Sequence, residues 1–129
     1  MAKRPLSHKF HFKTGHRIYL LNPPEGFEHA LMPMPTGVTL LQATPKKPCD
    51  AVILFATDLK QLKPLLIQAK EIMIPGGIIW LSFPKKSSGQ QSDLNIYTAR
   101  EAAHELTYKG VAIIISVDEI WSACRLICS

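Results

Sequence analysis

The first 24 residues contain no aspartate or glutamate, although five lysines and arginines lie within the first 17. The other ten lysines and arginines are matched by ten acids, so the whole net charge of +5 comes from this N-terminal segment. This distribution favours a solvated basic arm over a basic binding face, with nucleic-acid contact through the arm as the alternative. We predict an arm over 1–16, in which Phe10 and Phe12 are available for packing, and a single domain over 17–129.

Long apolar runs and usable cysteine pairs are also missing. The longest apolar stretches, 51–56 and 111–115, have the length of strands and fall far short of a membrane span. Cys124 and Cys128 are expected on one strand, about 13 Å apart, which is too far for a disulfide. With no export signal and an odd number of cysteines, the sequence predicts a soluble cytoplasmic protein with no membrane partner.

Recognisable catalytic patterns are missing as well. The chain has no Ser/His/Asp arrangement at a known spacing, no Cys-x-x-Cys pair and no carboxylate pair that can be placed. The spacing of His8, His11 and His16 fits neither a helix face nor a zinc motif. We therefore assign no catalytic residue, no metal site and no cofactor, and the sequence favours a protein that is not an enzyme.

Apolar strands alternate with amphipathic helices along the rest of the chain. Strands are predicted at 17–21, 38–41, 50–56, 78–83, 111–117 and 121–128. A short helix is predicted at 24–31, a longer one after Asp58 with a kink or restart at Pro64, and a third at 94–108 with Gly110 as its left-handed cap. This alternation predicts a mostly parallel sheet with right-handed crossovers.

The last two strands are separated by too few residues for a crossover, so they must pair antiparallel or bend away, and we predict an antiparallel last strand. The predicted fold class is therefore α/β, a three-layer Rossmann-like sandwich with six strands in the order 2-1-3-4-6-5.

Two segments resemble class I S-adenosylmethionine-dependent methyltransferases. Residues 50–55 (DAVILF) resemble the acid-started central strand of those enzymes, and 74–80 (IPGGIIW) resemble their proline-glycine-glycine turn into the next strand. The resemblance covers 17–128, with one strand-helix unit missing, and it implies a methyltransferase-like fold. The usual cofactor residues are absent, because 22–27 (NPPEGF) replaces the glycine-rich turn and no acid follows Leu41 to bind the ribose.

Other motifs are similar to those of a family of small bacterial proteins of uncharacterised function. They are 21–27 (LNPPEGF), Trp80 with 84–88 (PKKSS), 92–94 (SDL), 117–119 (VDE) and 121–123 (WSA). This resemblance implies a degenerate methyltransferase-like fold and implies no activity.

Polar turns are expected to meet where the parallel strands end, which is where ligands bind in such folds. The lysines and hydroxyls of one turn suit a phosphate or another anion. Solvated loop, helix-cap and turn roles are the alternatives. The candidate ligand-binding residues are Asn22, Glu25, Gly26, Lys85, Lys86, Ser87, Ser88, Asp118 and Glu119.

The sequence thus predicts a non-catalytic binding or regulatory module that accepts a small anionic ligand or a protein partner at this edge. A divergent S-adenosylmethionine-dependent methyltransferase is the alternative, and it is the class that we expect if the chain is an enzyme. Nucleic-acid contact through the basic arm is a further alternative.

Overall fold

The computed structural model describes residues 9–10, 12–32, 34–41, 46–86, 89 and 92–128. Strands and helices alternate along the chain, as the sequence predicts. The elements are β1 (Arg17–Leu21), α1 (Phe27–Leu31), β2 (Thr39–Leu41), β3 (Cys49–Phe55), α2 (Leu59–Ile72), β4 (Met73–Pro84), α3 (Ile96–Glu105), β5 (Lys109–Ser116) and β6 (Trp121–Ile127).

The six strands form one sheet in the order β2-β1-β3-β4-β6-β5. The pairs β1–β2, β1–β3 and β3–β4 are parallel, whereas β6 is antiparallel to both β4 and β5. Because the short link between β5 and β6 cannot cross over the sheet, β6 turns back and lies between β4 and β5. The predicted fold class and strand order are both confirmed.

Two apolar layers enclose the sheet. On one face α2 contributes Leu62, Leu66 and Ala69, which recur at helical spacing and are buried with the side chains of α3. The other face is covered by α1 and by the segment around Phe10. Phe10 is only 2% exposed, so it is part of this apolar layer. The division of the chain into an N-terminal arm and a domain at residue 16 stays a prediction.

Helix α2 corrects one local expectation. Of the two predicted alternatives at Pro64, a kink or a restart, the restart does not occur, because Leu59–Ile72 is a single helix with Pro64 inside it. Pro64 is exposed, and it removes only one main-chain hydrogen bond from a helix whose opposite side is anchored in the core. Tertiary packing therefore outweighs the local preference against proline.

The end of α3 corrects another expectation. The left-handed residue is Thr107, at φ 67, whereas Gly110 lies within β5. Thr107 N donates to His104 O and Tyr108 N donates to Ala103 O, which is the Schellman arrangement. The hydroxyl of the buried Tyr108 donates to Leu66 O over 2.7 Å and fixes this ending, so the left-handed residue lies three residues before Gly110.

Candidate functional site

The turns that follow β1, β3, β4 and β5 open at the same edge of the sheet, because these four strands run in the same direction. We call this the carboxyl edge and define it as residues 22–26, 56–58, 85–86 and 117–119. The topology therefore brings the turn at Asn22 and the turn at Lys85 to one side of the molecule. Ligand binding by these residues stays a prediction, and Ser87 and Ser88 lie outside the described residues.

Asn22 joins two strands at the carboxyl edge. The strand order reverses between β1 and β3, and ligands of doubly wound folds enter the crevice at that switch point. Here Asn22, at φ 59, donates from Nδ2 to Phe55 O over 2.9 Å. The ring of Phe27 packs against that of Phe55, with 4.6 Å between the centroids. Asn22 therefore has a structural role at the point where the crevice would open.

Glu25 and Gly26 form the exposed turn that leads into α1. Gly26 has φ 81, and a Cβ built on it would meet no atom within 4 Å. The glycine is therefore required by its backbone conformation rather than by the close approach of a neighbour. Phe27 N donates to Pro24 O over 3.1 Å, which closes the turn on itself.

A pocket of about 240 Å³ opens beside the carboxyl edge, between the end of β4 and the start of α3. Its apolar wall is buried or half-buried, and its polar groups include two lysines. The lining residues are Phe83, Pro84, Lys85, Lys86, Ser92, Leu94, Asn95, Ile96 and Ser122. Sequence reasoning found the two lysines but missed the segment 92–96 and Ser122. The only signal for that segment was the similarity of residues 92–94 to the small bacterial family.

Hydrogen bonds to the start of α2 fix the segment that walls this pocket. The Ser92 hydroxyl donates to Thr57 O and accepts from Leu94 N. Asp93 Oδ1 accepts from Leu59 N over 2.9 Å. The wall is therefore built before any ligand arrives.

The first turn of α3 is closed by its own side chains. Asn95 Oδ1 accepts from Tyr97 N at 2.9 Å and from Thr98 N at 3.1 Å, and Thr98 Oγ1 accepts from Asn95 N at 2.9 Å. This capping box uses amides that an anion would otherwise bind. A ligand in the pocket therefore meets side chains rather than a bare helix end.

Ser116, at the end of β5, accepts hydrogen bonds from Lys85 and Lys9. Lys85 Nζ donates to the Ser116 hydroxyl, and Lys85 N donates to Ile120 O over 2.7 Å. Lys9 Nζ donates to Ser116 O over 3.0 Å.

Asp118 Oδ1 accepts from the amides of Ile120 and Trp121, at 2.8 Å each. Asp118 therefore shapes the turn into β6. Glu119 is exposed beside it.

The cysteines are buried and offer no thiolate to this site. Burial raises the pKa of Cys49 and of Cys124 to about 11, and it also raises the pKa of Cys128. Cys49 Sγ donates to Ile72 O over 3.2 Å at the start of β3, away from the carboxyl edge. The thiols are therefore neutral and unreactive near neutral pH.

The described residues offer neither a metal-ligand cluster nor a membrane-spanning helix. In that part of the chain, no three histidine, cysteine, aspartate or glutamate side chains are grouped as metal ligands would be. Among the same residues, no helix is both long enough and apolar enough to cross a membrane.

Solved structures similar to this chain were found, whereas no family model and no curated protein matches it. N-methyltransferase NodS from Bradyrhizobium japonicum superposes with a TM-score of 0.58 at 13% identity, over 95% of this chain and 90% of that one. The TehB-like SAM-dependent methyltransferase from Corynebacterium glutamicum gives 0.60 at 9% identity, over 97% and 88%. The ribosomal protein L11 methylase from Lactobacillus delbrueckii gives 0.60 at 9% identity, over 94% and 73%.

Identities this low establish shared architecture and leave activity open. The resemblance to the small bacterial family stays a prediction. The chain has the fold of class I S-adenosylmethionine-dependent methyltransferases.

Proposed function

We propose that this chain is a divergent S-adenosylmethionine-dependent methyltransferase that holds its cofactor in a pose shifted from the switch point toward the pocket beside α3. The observation that carries the proposal is the fold, since structures similar to most of the chain are named as methyltransferases. These likenesses support the methyltransferase hypothesis better than the non-catalytic module. When bound, S-adenosylmethionine supplies an electrophilic methyl group.

The turn after β1 is the reason for a shifted pose. Pro23 and Pro24 have no amide hydrogens, so this turn cannot bind the cofactor with a row of main-chain donors. Asn22 in addition ties the end of β1 to the end of β3. The residues of the usual crevice therefore do not fit the cofactor in its usual pose.

The pocket supplies groups of the kind that the cofactor's methionine end needs. Lys85 and Lys86 bring positive charge that suits a carboxylate. Phe83, Leu94 and Ile96 give apolar contact to a hydrocarbon chain or a ring. A volume of about 240 Å³ encloses one end of such a ligand and leaves the remainder to extend along the carboxyl edge.

Isothermal titration calorimetry with S-adenosylmethionine and with S-adenosylhomocysteine tests this proposal. We expect both to bind, and Lys86→Ala to weaken binding by roughly three- to tenfold through loss of one charge-assisted contact. Lys60→Ala is the matched control, because Lys60 is an exposed lysine on α2 outside the pocket. Absence of heat at millimolar ligand would overturn the proposal.

Recognition of a smaller anion without group transfer is the second candidate. The limited pocket volume and its two lysines favour it. In a thermal-shift panel of small anions, at least one anion should then raise the melting temperature of the wild type and leave that of Lys85→Ala/Lys86→Ala unchanged. An equal response of both proteins would rule this candidate out.

A further inference from the structure

Ser82 and Arg125 each bury a polar atom that has no hydrogen-bond partner. Ser82 is 0% exposed, and its hydroxyl oxygen is unpartnered among the described residues. Arg125 is half-buried, and its Nε is enclosed without an acceptor in the same part of the chain. Because buried polar atoms of native proteins are nearly always hydrogen-bonded, two exceptions side by side favour a ligand that satisfies both.

The register of the sheet makes these two side chains neighbours. Arg125 of β6 is the partner of Trp80 of β4, and two residues further along β4 Ser82 is the partner of Ala123. Trp80 and Ala123 belong to the apolar layer that also contains Phe10. Since residues two apart on a strand share a face, Ser82 and Arg125 lie on the side of this layer. They are diagonal neighbours, with Cα atoms roughly 7–8 Å apart.

No acid on the elements around Arg125 compensates its charge. Strands β4, β5 and β6 contain no aspartate or glutamate, and neither does the chain up to residue 24. Helix α1 packs on the same layer and carries Glu28, which is exposed. Phe27 of that helix packs on Phe55 of β3, two strands away from β6. The guanidinium therefore gains no ion pair from this side.

The acids closest along β6 are Asp118 and Glu119, in the turn that precedes the strand. Asp118 Oδ1 accepts two amides of its own turn, and Lys85 and Lys9 lie beside that turn through their bonds to the end of β5. The first residue of β6 is already about 13 Å from Arg125 along the strand. The turn is therefore remote from the guanidinium, which keeps its full positive charge within the apolar layer.

We propose that Arg125 and Ser82 bind the carboxylate of a small organic acid on this face of the sheet. A guanidinium has only donors, so its ligand must accept hydrogen bonds, and the single charge of a carboxylate matches that of Arg125. The second carboxylate oxygen accepts from the Ser82 hydroxyl, over Ala123, which has only a methyl group. Part of Arg125 remains in solvent and gives the ligand its route of entry, whereas Ser82 is at the inner end.

This carboxylate site lies on the opposite face of β4 from the pocket beside α3. Phe83 lines that pocket and packs in the layer of α2 and α3. Ser82, next to it in the strand, is on the layer of Phe10. The carboxylate site therefore goes beyond the proposed function, because it holds a second ligand apart from S-adenosylmethionine.

The Nε–H resonance of Arg125, followed in titrations with sodium formate and sodium acetate, tests the site. We expect a saturable shift with either carboxylate and none with sodium chloride at the same ionic strength. The Nε–H of Arg17 is the internal control and should not shift, because that guanidinium already bonds to the carbonyls of Lys47 and Pro48. No shift of Arg125 at tens of millimolar carboxylate, or an equal shift with chloride, would overturn the proposal.

Variants are compared through the amide of Ala123, which all of them retain. Ser82→Ala should raise the dissociation constant roughly five- to tenfold through loss of one hydrogen bond, and Arg125→Met should abolish binding. Lys109→Met is the control, since it removes an exposed cation from β5. Binding by Ser82→Ala that equals that of the wild type would overturn the two-residue site.

Thermal unfolding without carboxylate gives an independent readout. Arg125→Met should melt at a higher temperature than the wild type, because it removes an unpaired charge from the apolar layer. A lower melting temperature would show that the guanidinium has a partner within the chain, and would overturn the proposal.

Calorimetry with S-adenosylhomocysteine on Arg125→Met separates this site from the proposed function. We expect binding equal to that of the wild type. Loss of binding would place the carboxylate of S-adenosylhomocysteine itself at Arg125 and overturn a separate site. Failure of the wild type to bind S-adenosylhomocysteine, with the formate response intact, would overturn only the proposed function.

Discussion

Asn22 donates a hydrogen bond of 2.9 Å from its side chain to the main-chain carbonyl of Phe55. This bond links the end of β1 to the end of β3 at the switch point of the sheet. In a doubly wound fold that position is where a ligand crevice opens. The chain thus keeps the strand order of the fold and changes the chemistry of its usual site.

Two substitutions of Asn22 distinguish how much its hydrogen bond and its backbone conformation each contribute to the free energy of unfolding. Asn22→Gly removes the bond but tolerates φ 59, so we expect a loss of about 1 kcal/mol in the free energy of unfolding. Asn22→Ala should lose roughly 1 kcal/mol more, because alanine is strained at this φ. Chemical denaturation of both variants measures the difference. Equal stability of the two would contradict the assigned conformation.

Trp80 anchors the N-terminal segment, since its indole nitrogen donates to Phe10 O. Trp80→Phe removes the donor, and we expect a loss of about 1–3 kcal/mol in unfolding free energy. Amide hydrogen exchange in residues 9–16 should also become faster. Trp121→Phe serves as the control, because it removes a similar ring from the same apolar layer. Exchange that is equally fast in both variants would show that the hydrogen bond is not the anchor.

Thr107 holds a left-handed conformation that glycine adopts more readily. Thr107→Gly should therefore be more stable than Thr107→Ala by roughly 1 kcal/mol, since both lose the hydroxyl and only alanine keeps a Cβ at positive φ. Thermal unfolding of the two variants gives the comparison. A more stable alanine variant would contradict the Schellman ending of α3.

Because its thiols are buried, the protein is expected to lose free energy of unfolding as the pH rises into the alkaline range. In the folded chain the pKa of Cys49 and of Cys124 is about 11, compared with an ordinary value of 9.0. Between pH 9 and pH 11 the unfolded thiols lose their protons and the folded ones keep theirs, so stability falls as pH rises. The slope is about 1.4 kcal/mol per pH unit for each thiol.

Denaturant unfolding at several pH values measures this slope, and Cys49→Ala/Cys124→Ala is the comparison. The double variant should lose stability less steeply over this range. Identical slopes would contradict the burial of these thiols.

The sequence predicts the fold well because its signals are local. The apolar run 50–56 and the short link after β5 are enough to place a parallel core and an antiparallel last strand. Boundaries that depend on distant contacts were missed. The end of α3 depends on Tyr108 reaching Leu66 across the layer, and Pro64 is tolerated because α2 packs on the sheet.

The location of the candidate site could be predicted from the sequence, but the contacts that build it could not. The direction of the strands brings the turns at Asn22 and Lys85 to one edge, which follows from topology alone. The contacts that fix the wall of the candidate pocket join residues far apart in the chain, such as Ser92 with Thr57 and Asp93 with Leu59. No short motif encodes such pairs.

Mapping of amide chemical shifts with S-adenosylhomocysteine shows whether the ligand site is displaced from the switch point. We expect the largest shifts at Lys85, at residues 92–96 and at Ser122, and small shifts at residues 22–26. Largest shifts at residues 22–26 and at Ala56 would place the ligand in the usual crevice and rule out a displaced site, as would the absence of any shift at millimolar ligand.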